Sequence, residues 1–335
     1  MRWLHLFGFQ VVLLALLTTV PTLAQERKSI PSPLGPQAKM PRIPEAILSE
    51  LDLPYAATDN PRQRLDLYLP KRPKGKKSLP LVVFIHGGAF IFGDRKPEGG
   101  AGDPSGLNLM LAMVASGEYA GASLGYRLSK EAIWPAQIHD CKAAIRWLRG
   151  NAKKYRLDPN HIGVMGTSAG GHLSAMIGTS GGVAALEGKL GNHLGVSSRV
   201  TCIVDQYGPI DFLALHGENN RSPDTPAAKL IGGPLPDNLE ATHSASPLTY
   251  IVANNPPFLI IQGTKDPVVN FTQSESFFSA LQKAGVNATF IRVIGGGHGN
   301  FPTPEVPQRI RAFFDKHLRG KEVSISAEPI SVEGR

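Results

Sequence analysis

The segment Gly166-Thr167-Ser168-Ala169-Gly170 places a serine between two glycines at Gly-x-Ser-x-Gly spacing. That spacing suits a nucleophile held on a sharp turn from strand to helix, where flanking side chains must be small because backbone crowds backbone. The chain holds two further matches, Gly121–Gly125 around Ser123 and Gly178–Gly182 around Ser180. Context separates them. Ser123 lies inside a strand-like run, and Ser180 follows the end of a helical pattern with no strand before it. Only Ser168 has an apolar strand directly before it and a helix-forming run, AGGHLSAMI, directly after. Ser168 is the predicted nucleophile.

A serine hydroxyl needs a base, and the base needs an orienting acid. In strand–turn–helix sites of this kind the chain order is Ser, then Asp or Glu, then His. His298 follows a strand-like run within a glycine cluster and is the predicted base. His317, in the terminal amphipathic pattern, reads as a surface helix residue. Asp266 ends the loop after the run Phe258–Ile261 and is the predicted acid, with Asp205 and Asp211 as rivals. Acyl transfer also needs donors for an oxyanion. The N–H of Ala169, next to the serine, and those of Gly88 and Ala89, in the loop after an early strand, are the natural set. His86 reads as a residue that holds that loop.

These side chains must be positioned by elements, and the apolar runs supply them. Strands are predicted at Arg64–Tyr68, Leu81–Ile85, Tyr119–Tyr126, Ile162–Met165, Val200–Val204, Phe258–Ile261 and Thr289–Ile294. Helices are predicted at Leu107–Ala115, Ile138–Lys154, Ala169–Ile177, Glu275–Lys283 and Val306–Leu318. Strands separated by helical patterns make βαβ units and a mostly parallel sheet. Ligand chemistry in such sheets sits in loops at the carboxyl ends of strands. The loops after Ile85, Met165, Ile261 and Ile294 carry the predicted nucleophile, acid, base and oxyanion donors.

The 335 residues contain 42% hydrophobic and 19% charged side chains, which fits a globular chain and excludes wholesale disorder. Residues 1–24 read as a signal peptide: Arg2, then the apolar run Val11–Val20, then Thr22-Leu23-Ala24 as a small-x-small cleavage site. The run is short of the ~20 residues of a membrane span. The expectation is an exported protein, secreted or periplasmic, with no stable membrane insertion after cleavage. Residues 25–50 read as a Pro-rich N-terminal extension, 51–318 as one domain, and 319–335 as a loose tail. Two cysteines, Cys141 and Cys202, are too few for a disulfide scaffold, although one bridge is open. Neither has zinc-ligand spacing, and no metal or cofactor is expected. The net charge of +8 is densest at Lys71–Lys77, which reads as a solvated loop. No basic helix with interleaved aromatics supports nucleic-acid binding. The oligomeric state is open.

The motifs together resemble the α/β-hydrolase superfamily. The chain is most similar there to the hormone-sensitive-lipase-like carboxylesterases and the bifunctional deacetylase/feruloyl esterases, an acetylxylan-esterase-like group. The residues that carry the resemblance are His86–Phe90, Tyr126–Leu128, Asp158–Ile162, Gly166–His172, Gly263–Val268 and Gly297–Gly299. The resemblance implies an α/β-hydrolase fold, with a mostly parallel eight-stranded sheet flanked by helices and a small cap over the active site. It implies the triad Ser168, Asp266 and His298, and the oxyanion donors Gly88, Ala89 and Ala169. Ala89 stands where the lipase-like group usually has a third glycine, which shifts the resemblance towards the deacetylase/feruloyl-esterase side. The long stretch Tyr207–Tyr250 between two core strands is expected to form the cap. Phe90, Trp134 and Tyr207 are candidate pocket walls, and core packing would place them equally well. The expected substrate is a small ester or an acylated polysaccharide carrying acetyl or feruloyl groups. An amidase or peptidase on the same triad, and a non-catalytic binding protein of this fold, are the alternatives.

Overall fold

A computed structural model describes residues 42–75, 77–96, 105–215 and 220–334. The expected signal peptide and most of the expected Pro-rich extension lie outside the described residues. Among the described residues the strands are β1 (Ile47–Pro54), β2 (Arg64–Pro70), β3 (Leu79–Ile85), β4 (Ala120–Leu124), β5 (Leu157–Thr167), β6 (Cys202–Gln206), β7 (Phe258–Gly263), β8 (Ala288–Ile294) and β9 (Ile330–Ser331). They form one sheet in the order β1-β2-β4-β3-β5-β6-β7-β8-β9. β1 and β2 pair antiparallel, as do β2 and β4, and every pairing from β4 to β9 is parallel. The core strands read as continuous apolar runs because both faces are covered. One apolar cluster lies on each face.

Among the described residues the helices are α1 (Ser105–Ala115), α2 (Ala136–Gly150), α3 (Ala152–Tyr155), α4 (Ala169–Thr179), α5 (Ala184–Glu187), α6 (Pro226–Ile231), α7 (Leu239–Ser244), α8 (Phe271–Lys283) and α9 (Glu305–Arg319). From β3 the chain crosses to β4 on one side and then returns to β5 on the other. The carboxyl ends of β3 and β5 therefore flank a topological switch point, where a crevice opens. The loop Gly87–Phe90 and Ser168 sit at those two ends.

Several expectations need correction. The sheet has nine strands, because Ile330 and Ser331 of the expected loose tail pair with Val293 and Ile294. Ile330 and Val332 are buried there, and a two-residue strand carries no periodic signal. β1 begins at Ile47, inside the stretch read as a leader. The helix expected through Lys154 stops at Gly150 and resumes at Ala152. A side chain at Gly150 would meet the His193 ring at 2.4 Å. Cys141 and Cys202 are free and buried, one in each apolar cluster, so the open question of a bridge closes. No helix of the described residues is long and apolar enough to cross a membrane.

The stretch between β6 and β7 folds into α6, α7 and two 3-10 turns, Leu235–Asp237 and Pro247–Tyr250. Its base is clamped by Gln273 of α8, whose side-chain oxygen accepts from the N–H groups of Ile210 and Asp211 at 2.9 and 2.7 Å.

Candidate active site

Ser168 stands between β5 and α4 with φ 54 and ψ −120, in a region that L side chains rarely adopt. Neighbouring backbone enforces that turn. A Cβ on Gly166 would lie 2.2 Å from the Gly170 carbonyl oxygen, and one on Gly170 would lie 2.1 Å from that of Ile85. The Ser168 N–H donates to the Gln206 carbonyl at 2.9 Å, which ties the turn to β6.

The fold brings the three predicted side chains together. His298 Nε2 lies 2.9 Å from Ser168 Oγ, and His298 Nδ1 lies 2.7 Å from Asp266 Oδ2. The buried carboxylate next to Nδ1 can only accept, so Nδ1 carries the proton and Nε2 is left to accept from the hydroxyl. The Asp266 side chain is buried, and every near donor points at it. Oδ1 takes the N–H groups of Val268 and Val269 at 2.8 and 2.9 Å. Oδ2 also takes Gln262 Nε2 at 2.7 Å. A carboxylate on four donors is held in one orientation.

The rivals are occupied elsewhere. Ser123 lies in β4 and donates to the Arg95 carbonyl at 2.8 Å. Ser180 donates to the Met176 carbonyl one turn back. Asp211 accepts from the Leu213 N–H at 3.0 Å. Asp205 is wholly buried beneath α4, accepts from the Gly208 N–H at 3.0 Å, and is pushed up to about 7 by burial. His317 packs on Phe313 within α9.

The loop after β3 lies against the elbow: a Cβ on Gly87 would be 3.3 Å from Ser168 Cβ. Gly88, Ala89 and Phe90 all have positive φ, at 115°, 54° and 62°. The N–H groups of Ile91 and Phe92 both donate back to the Gly88 carbonyl. Ala169 is the first residue of α4, so its N–H has no partner in the helix. Among the described residues no carbonyl accepts from the N–H groups of Gly88, Ala89 or Ala169. His86 stacks on Tyr126 at 4.3 Å, and its Nδ1 lies 2.7 Å from the Gly87 carbonyl. Burial pushes it down to about 4, so the neutral ring is a donor to that carbonyl. Below the loop, buried Arg95 bonds Asp66 at 3.2 Å and pairs with Asp52, and Arg62 donates to the Gly93 carbonyl.

Phe90 and Trp134, the candidate walls, are almost fully buried around a residue sequence reasoning left without a role, His172. Phe212 stacks on the same ring at 4.9 Å. Tyr207 meets the His298 ring edge-on at 4.8 Å. Sequence reasoning also missed Gln262. Its signal was available, since it is a lone polar residue in the apolar strand FLIIQG.

A family model described as BD-FAE matches residues 65–281. Esterase LipC of Mycobacterium tuberculosis is 31% identical over 243 residues, which cover 72% of this chain and 58% of LipC. The chain thus spans little more than half the length of that relative. A solved structure of a truncated carbohydrate esterase from gut microbiota superposes with a TM-score of 0.73 at 34% identity, over 81% of this chain and 96% of that one. A bifunctional GH43-CE protein of Bacteroides eggerthii gives 0.73 at 35% identity, over 83% of this chain and 36% of its own. The family match extends from β2 into α8 and takes in the serine elbow and the acid loop, and the chain belongs to the BD-FAE family.

Proposed function

We propose that this chain is a serine carboxylic-ester hydrolase that works through Ser168, His298 and Asp266 and an acyl-enzyme. The observation that carries the reading is the continuous hydrogen-bonded line from Ser168 Oγ to His298 Nε2 and from His298 Nδ1 to Asp266 Oδ2, at 2.9 and 2.7 Å. Ser168 Oγ attacks the acyl carbon while its proton passes to Nε2. The carbonyl oxygen becomes an oxyanion and accepts from the N–H groups of Gly88, Ala89 and Ala169. One such donor contributes about 3–4 kcal/mol to the transition state. As the tetrahedral species collapses, the C–O bond to the alcohol breaks and the alcohol takes the proton from Nε2. Water then attacks the acyl-enzyme, gives its proton to Nε2, and the carboxylic acid leaves as Ser168 Oγ regains a proton.

For the substrate, we infer short acyl esters, with acetyl or feruloyl groups on plant polysaccharide as the natural case. One similar structure, at 34% identity, is named a carbohydrate esterase, and another, at 35%, a bifunctional GH43-CE protein. The leader at residues 1–24 supports action outside the cytoplasm, in a secreted or periplasmic protein. The test is a p-nitrophenyl ester series from acetate to decanoate, run beside an anilide and acetylated xylan. Short esters and acetate release from xylan are expected to turn over. Anilide turnover alone would move the reading to an amidase, and no turnover at all would make the chain a binding protein.

A further inference from the structure

We propose that Gln262 is a positioning residue that fixes the Asp266 carboxylate and keeps the proton of the Asp266–His298 pair on the imidazole. This rests on the ester-hydrolase reading above. Gln262 is wholly buried near the end of β7. Its Nε2 donates to Asp266 Oδ2 at 2.7 Å and to the Val269 carbonyl at 3.1 Å, and its Oε1 accepts from Ser274 Oγ at 3.0 Å. These three bonds leave no freedom in the amide. Turned over, it would aim its oxygen at a carboxylate and a carbonyl, both acceptors, so nitrogen must face Asp266.

Two consequences follow from that geometry. The first is steric: Oδ2 receives Gln262 and His298 together, while Oδ1 receives two main-chain N–H groups. The carboxylate cannot rotate without losing bonds on both oxygens, and the imidazole inherits its direction. Gln262 stands on a strand, and Ser274 on α8 locks it. The acid loop is therefore buttressed from two rigid elements. The second is electrostatic. A neutral amide donor offsets part of the charge on Oδ2 and cannot take up the Nδ1 proton. Removing it leaves a more basic carboxylate, which favours the imidazolium and shifts the acid limb of the pH–rate profile upwards.

The experiment compares wild type, Gln262→Met, Gln262→Glu and Ser274→Ala on p-nitrophenyl acetate across both limbs of the pH profile. Active sites are counted with a p-nitrophenyl phosphonate, so that misfolded protein does not enter the rates. Gln262→Met is expected to lower kcat per active site about tenfold, as for a lost hydrogen bond to a charged group. KM should stay nearly unchanged, and the acid limb should move to higher pH. Ser274→Ala frees the amide without touching Asp266, and should shift the limb in the same direction by less. It serves if Gln262→Met does not fold. Gln262→Glu should recover activity only on the acid side, where its carboxyl still carries a proton to donate. A lower melting temperature or fewer titratable sites, with an unchanged pH profile per site in both Gln262→Met and Ser274→Ala, would overturn the inference. Equal ester turnover by wild type and Ser168→Ala would instead sink the ester-hydrolase reading.

Discussion

His172 Nε2 donates to the Ala245 carbonyl at 2.7 Å and so fastens the insertion between β6 and β7 to the helix that begins directly after Ser168. His172 is one helical turn from Ser168, and its main-chain N–H donates to the Ser168 carbonyl at 3.0 Å. Phe90, Trp134 and Phe212 enclose its ring. A protonated ring in that box would have no counter-charge. Burial accordingly pushes His172 from 6.5 down to about 4.

That depression makes the fold acid-sensitive. A base with a lowered folded value contributes stability that is present above pH 6.5 and lost as pH falls towards about 4. His86 is shifted the same way and adds to the slope. Each site is expected to account for up to about 3 kcal/mol. Denaturant unfolding measured at several pH values should show the loss, and His172→Gln should flatten part of it. An unchanged slope in that variant would place the acid sensitivity elsewhere.

Ser168→Ala is expected to lower ester turnover by about 10⁴–10⁶-fold with almost no change in melting temperature. Ser168→Gly should be as inactive, yet more stable by about 1 kcal/mol, because glycine accepts φ 54 without strain. Equal stability of the two variants would mean that the elbow stores no strain.

Asp266→Asn and Asp205→Asn should part company. The first presents an amide to His298 Nδ1 and favours the wrong tautomer, so turnover should fall by about 10⁴-fold. The second replaces a carboxyl that burial has raised from 3.8 to about 7. An acid raised on folding contributes stability below pH 3.8 that is lost as pH climbs through about 7. Asp205→Asn should therefore be more stable than wild type at alkaline pH, with turnover within a few-fold. A larger kinetic loss in Asp205→Asn would transfer the orienting role to β6.

Gly170→Ala should destabilise by about 3 kcal/mol, since its Cβ would lie 2.1 and 2.6 Å from the carbonyl oxygens of Ile85 and His86, both backbone. Gly195→Ala, with nothing within 4 Å, is the control and should be silent. Thermal unfolding of both variants settles the comparison.

The four loops were legible because each follows an apolar run that only a doubly covered strand can bury, and each carries residues that bland turns do not need together. The elbow at Ser168 was separable from Ser123 and Ser180 by its strand and helix alone. Other features depend on three-dimensional neighbours. Nothing local says that Gln262 faces Asp266, or that His172 collects three aromatic rings from distant segments. The left-handed run Gly88–Phe90 is equally hidden, because two of its members are ordinary L residues held there by their surroundings.

The short β9 pairing has a practical side. Ile330 and Ser331 occupy the outer rail of β8, and Glu333 reaches Lys265 at 3.0 Å, next to the acid. A chain cut after Leu318, where local patterning suggests the domain ends, would leave Val293 and Ile294 with open amides and carbonyls. Such a rim invites β8 of another molecule to dock against it. Trimmed preparations should therefore show self-association on storage before they show any loss of helix.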